Sequence, residues 1–277
     1  ESGVRGMRPT RALLDGVLKY KKLFKEYPKA PSNHFIYDRQ LKCRDFVFGG
    51  TAIPKALHQG EVLNEFKSIE CQIMDWADDA AYSLNDIVDG VKAGFLTVDR
   101  IEDWAHEQTI GVEEQQHLDR LYQAMRSDRL EGIFGARIGG FIQACRLRER
   151  ENFMSAQTNR YRYELVVAPT ALREAMFFKT MANDLIFESP QLQQMEHKAR
   201  RVLFDLWASI WSNYVDKGTR VINILPPQAG RLIDAARTKQ DKARQICDYL
   251  CGLTDGTIVH TYRRLFDPEF GSIRDLS

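Results

Sequence analysis

No apolar run in this chain approaches the roughly 18 residues that a membrane span requires, and no signal-peptide pattern opens it. A soluble, cytoplasmic protein without a membrane partner is therefore expected. A disulfide framework is also missing. The five cysteines, Cys43, Cys71, Cys145, Cys247 and Cys251, are odd in number and scattered, as reduced thiols are. Cys247 and Cys251 stand one helical turn apart with no second ligand pair nearby, so they read as packing residues rather than zinc ligands. Net charge is nearly absent: 39 basic residues against 38 acidic give +1, so no global field points to nucleic acid or membrane. Phosphate loops of the Walker or G-x-G-x-x-G kind are lacking, as is a G-x-S-x-G nucleophile elbow. His34, His58, His106, His117, His197 and His260 are isolated from one another, and none is followed by Asp. They read as surface or packing histidines, and the chain has no sequence-evident histidine metal set of its own.

What remains is an ordinary globular composition, 44% hydrophobic and 28% charged over 277 residues, enough for one or two domains. The chain starts at Glu1 without Met and reads as the interior of a longer protein. Helical periodicity dominates, so the expected class is all-α. Arg11 to Phe24 has helical spacing through Leu13, Leu14, Val17 and Leu18, and Pro28 and Pro31 break the polar connector after it. A long helix is expected from Leu63 to Ala93, ended by Gly90 and Gly94, at the centre of the fold. Further helices are expected over 98–106, capped by Thr97, and over 112–125, 133–150 and 170–187. Pro190 should start another that runs to about Val215, and 242–266 should form the last one, beyond the interruption at Pro226-Pro227. Tyr161 to Val167 alternates like a strand. Gly135, Gly139 and Gly140 fall within a helical pattern and read as sites of close helix packing.

Ile69 to Gly94 is the most informative stretch. Wound as a helix, it aligns Asp75, Asp78, Tyr82, Asp86 and Asp89 along one stripe, with Ile73, Ala77, Ala80, Ala81, Leu84, Ile87, Val88 and Val91 on the other side. Asp is a poor residue inside a helix, and like charges three or four apart repel. No Lys or Arg lies within the stripe. A solvated acidic face is the ordinary reading; a metal or nucleotide site is the other. Arg146, Arg148, Arg150, Arg160 and Arg162 interleave with Tyr161 and Tyr163, a mix that suits phosphates or single strands. The competing reading is a solvated helix end followed by an edge strand. Lys198, Arg200 and Arg201 read as a solvated face.

Several ordered segments carry a resemblance. Asp78-Asp79-Ala80-Ala81-Tyr82, followed by Asn85-Asp86 and Asp89-Gly90, resembles the deoxyguanosinetriphosphate triphosphohydrolase family of the HD-domain superfamily. Thr10 to Tyr20 is similar to that family's TRATLDGLLKYP stretch, Ile186 to Pro190 to its (V/I)Y-x-SP segment, and Ala243 to Asp255 to its closing R-x-VCDY-IAGMTD block. The resemblance implies an HD-type helical bundle. Residues 1–130 would be the later part of the catalytic core, and 131–277 a helical region that completes the pocket and makes oligomer contacts. It implies a divalent metal (Mg, Mn or Fe) held by a His, a His-Asp pair and a distant Asp, which Asp78 matches. The His and the His-Asp pair lie upstream of the family's TRATLDG stretch and have no counterpart here. Tyr82 and Asp86 match positions that contact the nucleotide's sugar and triphosphate region, as a buried Tyr and Asp could; Lys19 and Tyr20 become pocket residues and Arg137 a phosphate contact. Asn85, Gly256 and Lys21 depart from the family's usual residues.

The implied reaction is attack of water at the α-phosphorus of a dNTP, such as dGTP, giving deoxynucleoside and inorganic triphosphate. A homo-oligomer regulated by dNTP or single-stranded nucleic acid is the implied assembly, and this chain alone is expected to be inactive. The alternative from a different class is a non-catalytic nucleotide- or nucleic-acid-binding regulatory or assembly module derived from that family.

Overall fold

Ser68 opens the central element by accepting a hydrogen bond from the Cys71 amide at 3.3 Å. In the computed structural model, which describes residues 8–50, 62–151, 154–216 and 222–271, this helix is Ile69–Lys92. The expected helix from Leu63 to Ala93 is therefore shorter. A separate turn, α3 (Val62–Glu65), precedes it, Phe66 and Lys67 lie outside both helices, and Ser68 is extended as the cap rather than carried in the helix. Among the described residues there are twelve α-helices and one two-stranded sheet, so the all-α expectation holds. The chain divides into two units, at Phe187/Glu188.

The first unit is built around α4 (Ile69–Lys92), which packs against α1 (Arg11–Val17), α7 (Leu130–Gln143), α8 (Pro169–Ala182) and the second strand. Its buried face is Cys71, Ala80, Ser83, Leu84, Ile87, Val88 and Gly90. Ile73 and Ala77, expected on that face, are exposed instead. Gly90 permits close contact, since a Cβ there would lie 2.4 Å from Ile186 Cδ1 and 3.2 Å from Leu96 Cδ1. Helix α2 is Leu41–Val47, α5 Val98–Glu107 and α6 Val112–Arg126. Thr97 caps α5 as expected, accepting from the Arg100 amide. Trp104 of α5 donates to Asp184 at 2.9 Å, in the wider helical turn Asn183–Phe187 that continues α8.

Further expectations fail in this unit. Residues 133–150 do not form one helix: α7 stops at Gln143, and Cys145–Glu149 is a strand, β1, paired antiparallel with β2 (Tyr163–Val167) in the register Cys145↔Val167 to Glu149↔Tyr163. Residues 146–149 are exposed along β1, where Arg148 pairs with Glu164 directly across the ladder and Glu149 pairs with Arg162, just before β2. Helix α1 ends at Val17, well short of Phe24, and turns Asp15 and Gly16 inward while Leu13 and Val17 stay exposed. Its apolar spacing is overruled by a buried polar node. Asp15 accepts from Tyr161 Oη at 2.6 Å and Arg160 Nη1 at 3.1 Å, and Lys21 Nζ lies 3.3 Å from its other oxygen. Gly135 and Gly139 face open space and Gly140 meets only the Arg137 side chain, so the expected close helix packing does not occur there.

The second unit is a cluster of α9 (Pro190–Trp211), α10 (Pro227–Ala235), α11 (Lys239–Cys251) and α12 (Asp255–Phe266). Val202, Leu206, Ile210, Tyr214, Leu225, Ile233, Ile246 and Leu250 form its core. Pro226-Pro227 does not merely interrupt: Pro227 occupies the first position of α10, where its missing N–H costs nothing. The helix expected over 242–266 is two, α11 and α12. Gly252 ends the first, and Thr254 caps the second by accepting from the Thr257 amide. Cys247 and Cys251 are exposed rather than packed. Arg200 and Arg201 lie on an exposed face in i,i+4 pairs with Glu196 and Asp205. No helix among the described residues is long and apolar enough to cross a membrane.

Candidate functional site

The stripe read from the sequence is present on α4, and its members differ in environment. Asp78, Tyr82 and Asp89 are exposed, while Asp75 and Asp86 are half-buried. Tyr82 is 56% exposed, not buried as a sugar-positioning tyrosine could be.

The charges the stripe lacks arrive from other elements. Lys19, just past α1, and Lys67, just before α4, both grip the Asp75 carboxylate, one on each oxygen. Burial pushes the Asp75 carboxyl up, but the hydrogen bonds from Lys19 and Lys67 outweigh it and hold the carboxyl below the usual range. The same bond to Asp75 raises Lys19 against its own burial. Lys179 of α8 pairs with Asp79 and also acts on Asp86. Asp86 is the opposite case to Asp75: burial first, and then the neighbouring charge of Asp89, raise its carboxyl, with Lys179 only partly offsetting them. Asp78 falls between the two lysine-held aspartates and carries no ion pair among the described residues.

Lys19 is thus brought to the α4 face through Asp75. The Lys19 ammonium lies 5.9 Å from the Tyr20 ring centre, and that ring stacks on His34 with centroids 4.2 Å apart. Arg137 is engaged elsewhere. It is bound to buried Glu174, with Nε donating at 2.7 Å, and lies over the Phe141 ring at 5.4 Å. Arg120 and His117 also approach Glu174, each at 3.9 Å, and burial pushes the His117 imidazole down. The arginine-tyrosine segment is split by the fold. Arg160 and Tyr161 serve the Asp15 node, Arg150 donates to the Tyr161 and Lys67 carbonyls at 3.0 Å each, and Arg146 and Arg148 remain on the exposed strand. His58 lies outside the described residues.

Lys67 and Lys179 escaped sequence reasoning. Lys179 has no acidic residue three or four positions away on α8, and Lys67, which has Glu70 three residues on, reaches past it to Asp75.

The donor chemistry bears on a metal. Asp78 offers a hard carboxylate oxygen free of a competing cation among the described residues, and it fits the part of one ligand. It is not a complete site: among the described residues no three His, Cys, Asp or Glu side chains gather to hold an ion, and hard divalent cations need several oxygens.

Comparison with known proteins agrees with the sequence motifs. Residues 165–264 match the family described as phosphohydrolase-associated domain. The chain is similar to the deoxyguanosinetriphosphate triphosphohydrolase-like protein of Shewanella halifaxensis, at 23% identity over 98% of this chain and 66% of that protein. It is 26% identical to the like-named protein 2 of Deinococcus radiodurans, over 98% of this chain and 65% of the relative. The Streptomyces coelicolor protein of that name is also 26% identical, over 96% and 65%. The chain therefore spans about two thirds or less of the length of the relatives it matches. These matches bear out the resemblance to the deoxyguanosinetriphosphate triphosphohydrolase family, and with it a relationship to phosphohydrolase-type enzymes.

Proposed function

We propose that this chain forms part of a divalent-metal-dependent dNTP triphosphohydrolase, which converts dGTP or another dNTP to deoxynucleoside and inorganic triphosphate. The observation that carries this reading is Asp78, exposed and without an ion pair among the described residues, between two lysine-held aspartates and on one stripe with Tyr82 and Asp86. The names of the relatives point to the same chemistry.

Asp78 would supply one oxygen to the ion, with the remaining ligands coming from histidine and aspartate residues outside this chain. A bound Mg²⁺, Mn²⁺ or Fe²⁺ makes a water nucleophilic near neutral pH. The residues of this chain then bind and orient the nucleotide. The exposed Tyr82 ring offers a face to the sugar. Asp86, its carboxyl raised by burial, offers a hydrogen-bonding group one turn further on. Lys19 offsets charge on the triphosphate as the bond between the α-phosphorus and the 5′ oxygen breaks. Tyr20 walls the same side through its stack on His34. A homo-oligomer with dNTP or single-stranded nucleic acid as effector belongs to the same proposal.

The test is a triphosphate-release assay on the full-length protein, with each dNTP and each of the three metals. Asp78→Ala should cost on the order of a hundredfold or more in rate, since even partners of metal ligands cost 10–100-fold; near-normal turnover would reject the assignment. A second reading, a nucleotide-binding regulatory module without catalysis, is favoured by the incomplete donor set around Asp78. It predicts saturable dNTP binding with no triphosphate released by the full-length protein.

A further inference from the structure

Two ammonium groups share one carboxylate at the start of the α4 stripe. Lys19 Nζ contacts Asp75 Oδ1, and Lys67 Nζ contacts Asp75 Oδ2. A structural ion pair would balance one charge against one. Here two ammonium groups meet on one carboxylate, with Asp79 also acting on Lys19, and each ammonium has three donors to spend. The three side chains keep 29%, 20% and 20% of their surface, so the cluster is open to solvent yet shielded enough to strengthen its electrostatics.

Lys67 is also held by its backbone. Its carbonyl accepts from Arg150 Nη2 at 3.0 Å and Gln72 Nε2 at 3.1 Å, and the next residue, Ser68, caps α4. Lys19 is anchored by its neighbour: Lys21 is fully buried against Asp15. Cations on fixed stems lose less entropy on binding than freely moving surface lysines do. Asp78 lies one turn further along the same stripe, so the two ammonium groups sit beside the carboxylate that the proposed function assigns to the metal.

We propose that Lys67 and Lys19, set in place by Asp75, form a two-ammonium cradle for the phosphate chain of a polyphosphate ligand, a nucleoside triphosphate or inorganic triphosphate. The cradle deepens the proposed function and rests on it for the identity of the ligand. Lys67 is the binding residue it adds. Asp75 is a positioning residue, acting through the two lysines.

The probe is inorganic triphosphate, titrated into the 277-residue chain by calorimetry without metal and at low ionic strength. Saturable binding in the millimolar range or tighter is expected. Lys67→Ala and Lys19→Ala should each weaken it about tenfold, the loss of one charge-assisted contact, while Lys67→Arg keeps most of it. Asp75→Asn separates positioning from charge counting: it should weaken binding because the ammonium groups lose their common anchor, whereas simple attraction would make it tighter. Lys42→Ala, an exposed lysine on α2, should bind as the unaltered chain does. Absent binding, unchanged binding in Lys67→Ala, tighter binding in Asp75→Asn, or an equal loss in Lys42→Ala would each overturn the cradle. Circular dichroism confirms that each variant is folded. The two proposals fail separately. Triphosphate binding that depends on Lys67 in a full-length protein that hydrolyses no dNTP would sink the enzyme reading alone. Hydrolysis with triphosphate binding indifferent to Lys67 would sink the cradle alone.

Discussion

Asp75 and Asp86 lie about three turns apart on one helix, yet their carboxyls move in opposite directions. Burial acts to raise both. At Asp75 the two lysines reverse the effect, and at Asp86 the Asp89 charge adds to it. Asp75 therefore contributes stability above the unfolded carboxylate range and loses it as pH falls through its lowered folded value. Asp86 does the reverse. Its folded carboxyl keeps a proton to higher pH than in the unfolded chain, so the fold loses stability as pH rises through that interval. An Asp86→Asn variant should accordingly melt above the unaltered protein at neutral pH, with the gap closing at a pH below the ordinary carboxylate range. Thermal melts across pH check this, and a variant that melts lower at neutral pH would remove the destabilised-carboxylate account. A side chain kept at a stability cost fits a binding residue better than a packing one.

At the scale of elements, α4 is placed by one small residue and one cap. Gly90 lets the side chains of Ile186 and Leu96 meet the helix backbone, and a methyl group there would collide with Ile186. Gly90→Ala should destabilise the protein by about 1–3 kcal/mol through overpacking, even though Ala is the better helix former. A denaturant titration that finds the variant as stable as the parent would show that Ile186 moves aside freely. The arginine-tyrosine hairpin shows why sequence pattern misassigned an element. Ile133 to Arg150 has enough helical spacing to be read as one helix, but β1 forms because Tyr163 to Val167 is there to pair with it. Whether a segment becomes a strand depends on its partner and packing as much as on its own pattern.

For the whole molecule, the question is whether the pieces add up to an enzyme. Within this chain Asp78 is the single metal ligand that the proposed function assigns, and no gathered donor set supplements it among the described residues. The 277 residues alone should therefore give no significant turnover of dGTP with Mn²⁺, measured as deoxyguanosine and triphosphate. Robust turnover lost in Asp78→Ala would reveal a complete site; restoration of activity by an upstream segment that carries the histidines would support the proposed assembly.

Local pattern was enough for whatever depends on neighbours along the chain. Thr97 is a cap wherever its hydroxyl can reach the Arg100 amide. The 3.6-residue period alone puts Asp75, Asp78, Tyr82 and Asp86 in one line, and the ordered motifs carry the family resemblance by themselves. Tertiary structure alone decided which of those aspartates are neutralised. Lys67 and Lys179 reach α4 from the residues before it and from α8, and Asp15 is buried because Tyr161 and Arg160, far along the chain, come to meet it. Electrostatic energy depends on distance in space and on burial, and neither is written in the spacing of residues along the chain.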